Sequence, residues 1–173
     1  MTLPNPEHLL DQAAALAAGL SAGVPRQTDQ RRAVSAAYYA IFHAILTECA
    51  DFIVGRTLRD APSYRLVYRS IEHAQLKSLC EDMGKSTPKN KYKPYLPPEG
   101  IGSDISAVAR AVLELQQKRH SADYDPHYQP ESSELETTLA DSHAALKHWQ
   151  SADENLRETF VLLLLFPPKD GRS

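Results

Sequence analysis

Cysteine is nearly missing from the sequence. Cys49 and Cys80 are the only two, 31 positions apart, and no C-x-x-C pair occurs. Neither a disulfide framework nor a zinc module is expected, and a reducing, cytoplasmic setting is. Long apolar runs are missing too. The run VLLLLF at 161–166 is far shorter than the roughly 20 residues a membrane span needs, so no membrane partner is expected. The opening MTLPNPEHLL has no basic region followed by an apolar core, which argues against a secretion signal. Glycine is scarce, no internal repeat or low-complexity tract stands out, and no segment alternates convincingly as a strand would. The net charge of −3 does not by itself decide for or against a nucleic-acid partner.

Helical signals fill the chain instead. Asn5-Pro6-Glu7 supplies an N-cap, a first-turn proline and an early acid, opening a short helix that ends near Gly19. From about Thr28 to Val54 there is neither Gly nor Pro, which predicts one long helix. A third helix is expected from about Pro62 to Met83, stopping at Gly84. The stretch 86–100 is rich in proline and lysine and reads as a loop, because proline removes donors and restricts the residue before it. A fourth helix starts near Ser103 and stops before Pro126. A fifth starts at Ser133, with Glu136 completing a capping box, and runs to Phe166 on a repeat of Leu135, Leu139, Ser142, Leu146, Trp149, Asp153, Leu156, Phe160 and Leu163. The expected fold class is all-α, a single domain over 1–173 built as an up-and-down bundle of about five helices, with a disordered tail at 167–173.

The second helix has two apolar stripes, Val34, Tyr38, Ile41, Ile45, Phe52 and Ser35, Tyr39, Phe42, Leu46, Cys49, Ile53, so it is expected to be buried on several sides. A polar line of Arg32, Tyr39 and His43 runs between them, within roughly 40° at 100° per residue. Buried polar groups need partners, or sit at ordinary core edges bonded to backbone. On the fourth helix the stripe Ile105, Val108, Val112, Leu115 is followed in phase by Arg119, a charge where a hydrophobe is expected. Such a charge is paired or faces a functional cleft. Asp123, four residues on, is in reach. RHSADYDPHY (119–128) is then either a site or a salt-bridged helix end followed by the Asp125-Pro126 turn.

RRAVSAAYYAIFHAIL (31–46), followed some 75 residues later by RHSADYDP (119–126), resembles the HEPN superfamily. The closer likeness is to the prokaryotic branch with S-x-A-Y-Y-A-x-F-H on the second helix and R-x-x-A-D-Y-D on the fourth. Ser35, Ala37, Tyr38, Tyr39, Ala40, Phe42 and His43 match the first pattern. Arg119, Ala122, Asp123, Tyr124 and Asp125 match the second. The resemblance spans about 28–150. It implies a homodimeric helical bundle acting on RNA, of the toxin–antitoxin or phage-defence kind. Many members are metal-independent ribonucleases, and some pair with a nucleotidyltransferase antitoxin that can adenylylate a tyrosine.

In ribonuclease members Arg, then four to six residues, then His, stand near the dimer axis. No such pair occurs here, and Tyr124 stands where that His is often found. Tyrosine is a poor base at neutral pH, its ordinary pKa being about 10. By this resemblance Arg119 would hold phosphate, Asp123 would orient Arg119 or His43, and His43 or His120 would move the proton. Two readings follow: a weak or degenerate ribonuclease or RNA binder, or a non-catalytic module that docks a nucleotidyltransferase-type partner. No cofactor is expected. His120, Asp123 and His127 are suitable metal ligands by type, but Pro126 interrupts them, and no metal is expected either.

Charge is unevenly spread. Residues 56–93 hold nine cations against four acids, a net of +5, while 131–170 carry −5. Lys89, Lys91 and Lys93 would contact phosphates, with Tyr92 and Tyr95 stacking on bases; a solvated loop is the plainer account. A homodimer is also expected from the fifth helix. At 1.5 Å per residue it would be roughly 50 Å long, more than a compact domain with a radius of gyration of about 15–16 Å spans. Its apolar end would then need a partner, unless it bends back onto its own bundle.

Overall fold

The computed structural model describes residues 3–19 and 26–169. These form an all-α helical bundle with no strand among the described residues. The helices are α1 (Pro6–Ala18), α2 (Gln27–Val54), α3 (Pro62–Ser70), α4 (His73–Met83), α5 (Ser103–Tyr124), α6 (Ser132–Ser151) and α7 (Glu154–Leu165). Seven helices rather than about five result because the expected third and fifth are each divided.

The ends of α1 follow the sequence signals. Asn5 accepts from the Glu7 amide, and Gly19 closes the helix at φ +86°, a backbone state that favours glycine. α2 runs unbroken for 28 residues. It has the length and apolar composition of a membrane span, with half of its most apolar window buried inside the protein, as in the core helix of a bundle. Phe52 and Ile53, at the end of its two stripes, are exposed.

The division at Asp153 corrects the 50 Å helix. Asp153 accepts from the amides of Asn155 and Leu156, starting α7 afresh. Arg157 donates to the carbonyls of Trp149 and Gln150, two of the last-turn groups that α6 leaves without helical partners. Its Nε reaches Glu48 of α2 at 3.2 Å. The apolar end turns back onto its own fold: Phe160, Val161, Leu163 and Leu164 are buried, and Gln75 of α4 donates to the Leu164 carbonyl. The length argument for a homodimer therefore falls. The other division lies at Ile71 and Glu72, both extended, which turns the chain between α3 and α4 and buries Ile71. α6 begins at Ser132, one residue ahead of the expected cap.

The chain divides into two compact units. One comprises Ile45–Arg110 with the chain from His148 onward, and the other the chain up to Ala44 with Ala111–Lys147. In the first, Asp51 gathers Arg59, Arg56 and the Tyr64 hydroxyl, and Trp149 packs edge-on against Phe160. The expected loop at 86–100 carries one turn of 3-10 helix, Lys93–Tyr95, and no α-helix. In the second unit small residues let helices approach closely: Ala13, Ala36 and Ala37 form one cluster, and Ser142 donates to the Ala37 carbonyl at 2.6 Å. Leu16, Ala33, Val34, Ala122 and Leu135 form another. Of the expected disordered tail, Pro167–Lys169 are non-helical and the remainder lies outside the described residues.

Candidate functional site

In the second unit, α2 and the C-terminal turns of α5 bring the two motifs together. The phase of α5 carries Arg119 inward, where its side chain is only 14% exposed. Its Nη2 donates to the Tyr39 hydroxyl at 2.9 Å. Its Nε lies 2.6 Å from Asp123 Oδ2, yet no acceptor lies along that N–H, so the pair is held by charge rather than by a directed hydrogen bond. The guanidinium stands over the Tyr39 ring at 5.4 Å and the Tyr124 ring at 5.7 Å. Burial opposes its charge, but the Tyr39 hydroxyl and Asp123 outweigh that and hold Arg119 above its ordinary pKa.

Asp123 has a second partner. Ser35 Oγ donates to its Oδ1 at 2.6 Å. Arg31 donates from Nε to the Ala122 carbonyl at 2.7 Å, closing the end of α5 with a cation where the helix dipole favours one. Beyond it, Asp125 accepts from the His127 amide, forming the turn that Asp-Pro announces. RHSADYDPHY is thus both a paired helix end with its turn and part of a surface groove.

That groove is lined by Thr28, Arg31, Arg32 and Ser35 of α2 and by Asp123 and Tyr124 of α5. Arg32 is exposed, and Tyr124 is 66% exposed. His43 is half-buried and stacks on the inner ring of Tyr39 at 5.7 Å. His120 is exposed, with its ring 4.9 Å from that of Tyr124. Arg119, Asp123, Tyr39, Tyr124, His43, His120 and Arg32 therefore fall in one unit, linked by contacts or by the groove. Among the described residues no three His, Cys, Asp or Glu side chains are grouped to hold a metal ion.

Comparison of the chain with protein-family models, with curated proteins and with solved structures finds no match in any of the three. The site is therefore read from its own chemistry.

The lysine loop belongs to the other unit. Tyr92, expected to stack on bases, is 3% exposed, with the Lys91 ammonium 5.3 Å from its ring centre; Tyr95 is the exposed ring of the loop. A single aromatic in an aperiodic loop carries no signal of the face it turns to, and burial of its ring removes apolar surface from water. Lys89 lies 3.2 Å from the buried carboxylate of Asp82, and Lys85 lies 3.6 Å from it, so the exposed Lys89 is already paired with a carboxylate of its own unit. Lys93 is exposed. Sequence reasoning passed over Arg31 and the Ser35 contact. Arg31 opens the α2 motif and Ser35 lies one turn before Tyr39, but neither spacing says which helix end each will face.

Proposed function

We propose that the chain is an RNA-directed protein of the toxin–antitoxin or defence kind, as its resemblance to the HEPN superfamily implies, and that single-stranded RNA lies in the groove of α2 and α5. One observation carries this: the groove offers an exposed cation, Arg32, together with an exposed ring, Tyr124. Cations follow the phosphate backbone, and aromatic faces take bases of any sequence. Binding has better support than cleavage. Arg119 uses one donor on the Tyr39 hydroxyl and balances its charge against Asp123, and no histidine lines the groove among the described residues. His120, against Tyr124, is the group on offer if a proton is moved.

The test is fluorescence anisotropy with a labelled single-stranded RNA, with chelator present. Arg32→Ala weakens binding alike for all sequences and lowers the salt slope by about one. Tyr124→Ala weakens it by roughly ten-fold, as loss of a stacked base does. If wild type does not bind at about 0.1 M salt, or both variants bind as wild type does, the reading is wrong.

The exposure of Tyr124 favours a second reading. Here the same groove docks a nucleotidyltransferase-type partner that adenylylates Tyr124, and the protein acts as a homodimer. Mass spectrometry of the chain incubated with such a partner and ATP would show the added adenylyl group on Tyr124 and none on Tyr124→Phe.

A further inference from the structure

A carboxylate is an awkward group to find in a groove meant for phosphates, since like charges repel at short range. Asp123 lines the groove nonetheless, and its side chain remains 30% exposed. Its charge is balanced by Arg119 at 2.6 Å, and one of its oxygens accepts from Ser35. A carboxylate has about four acceptor positions and no donor, so capacity is left on the exposed side. The lining thus supplies the groups one nucleotide needs: a cation for the phosphate, a ring for the base, and an acceptor for whatever the sugar donates.

We propose that Asp123 makes the groove select RNA over DNA by accepting a hydrogen bond from the ribose 2′-hydroxyl. This rests on the RNA-directed reading above. Ribose can donate at that position and deoxyribose cannot. A DNA strand would cover the carboxylate without replacing the water it displaces, and an unmatched polar group discriminates more strongly than a small change in apolar contact. Arg119 and Ser35 then act as positioning residues: they hold the carboxylate toward the groove and reduce its repulsion of the flanking phosphates.

The experiment compares one single-stranded sequence made as RNA, as DNA and as 2′-fluoro RNA, each bound to the wild-type full chain. The 2′-fluoro strand keeps an RNA-like sugar pucker but has no hydroxyl to donate. Wild type should prefer RNA over DNA by roughly ten-fold, the size expected for one hydrogen bond to a charged group. The 2′-fluoro strand should bind as DNA does. In Asp123→Ala the loss of a negative charge strengthens both strands, so the readout is the RNA-to-DNA ratio, which should fall to about one. Equal binding of RNA and DNA by wild type overturns the proposal and leaves the RNA-directed reading intact. So does 2′-fluoro RNA binding as RNA does, which would assign the preference to sugar pucker. An unchanged ratio in a folded Asp123→Ala does the same. If no strand binds, the RNA-directed reading itself fails and the role of Asp123 falls with it. The 2′-fluoro arm uses only wild type and stands even where the variant does not fold.

Discussion

Arg119 shows how much one side chain can be read from its position. It interrupts an apolar phase, so it needs either a partner or a cleft to face, and it is paired: with Asp123 by charge and with Tyr39 by a hydrogen bond. Arg119→Ala should cost about 1–3 kcal/mol in urea denaturation, because the Tyr39 hydroxyl and Asp123 each lose a partner. Arg119→Lys should recover only part of this, since an ammonium cannot serve both directions as a planar guanidinium does. The partner Ser35 was not legible, because a serine on an apolar stripe faces whatever helix end the fold brings to it. Asp51 gives a pH dependence. Burial alone raises its carboxyl, but hydrogen bonds from Arg59 and Tyr64 outweigh that and hold it below its ordinary value. The stability it adds is present above the unfolded value of about 4 and lost as pH falls through the lower folded value. Denaturation measured between about pH 2.5 and 6 should show a loss below about pH 4 that is smaller in Asp51→Asn.

At the scale of elements, the joint between α6 and α7 is decided by a cap and a cation. Asp153→Ala should cost about 1 kcal/mol, as losing an N-cap usually does, again read by urea denaturation. The joint escaped the sequence reading because Trp149, Leu156 and Phe160 keep nearly the same phase across it, so periodicity sees no break. The lysine loop has its own fastening. Asp82 is fully buried and faces Lys89 of that loop and Lys85 just ahead of it. Asp82→Ala should release it, and limited trypsin digestion should then cleave after Lys89 and Lys91 several-fold faster, since proteolysis follows local opening. An unchanged cleavage rate would mean that burial of Tyr92 alone holds the loop.

For the whole molecule, the division of the last helix changes what a truncation would test. Removing the chain after Glu158 deletes Phe160, Val161, Leu163 and Leu164, all buried. At about 1.5–3 kcal/mol for each buried side chain, that is comparable to the 5–15 kcal/mol by which whole domains are stable. The truncated chain should show no cooperative unfolding transition by circular dichroism. Leu162 and Phe166 are the exposed large apolar residues described in α7 and its cap. The double variant Leu162→Ser/Phe166→Ser should keep the wild-type thermal midpoint to within a few degrees, as surface changes usually do. It therefore separates association from folding. If a dimer forms through this surface, light scattering finds the double variant monomeric. An unchanged dimer mass would direct attention to other surfaces.

Local chemistry determined which segments are helical, because caps, prolines and apolar spacing act within a few residues of each other. The absence of strands among the described residues, the unbroken α2, the start of α1 and the turn at Asp125-Pro126 were all legible on those grounds. Tertiary structure decided the rest. Whether Arg119 would meet Tyr39, whether Tyr92 would face solvent or the core, and whether the end of α7 would need a second chain all depend on partners far away in sequence. Periodicity records that a face is apolar but not what covers it, and a charge signals a need for pairing without naming the residue that meets it.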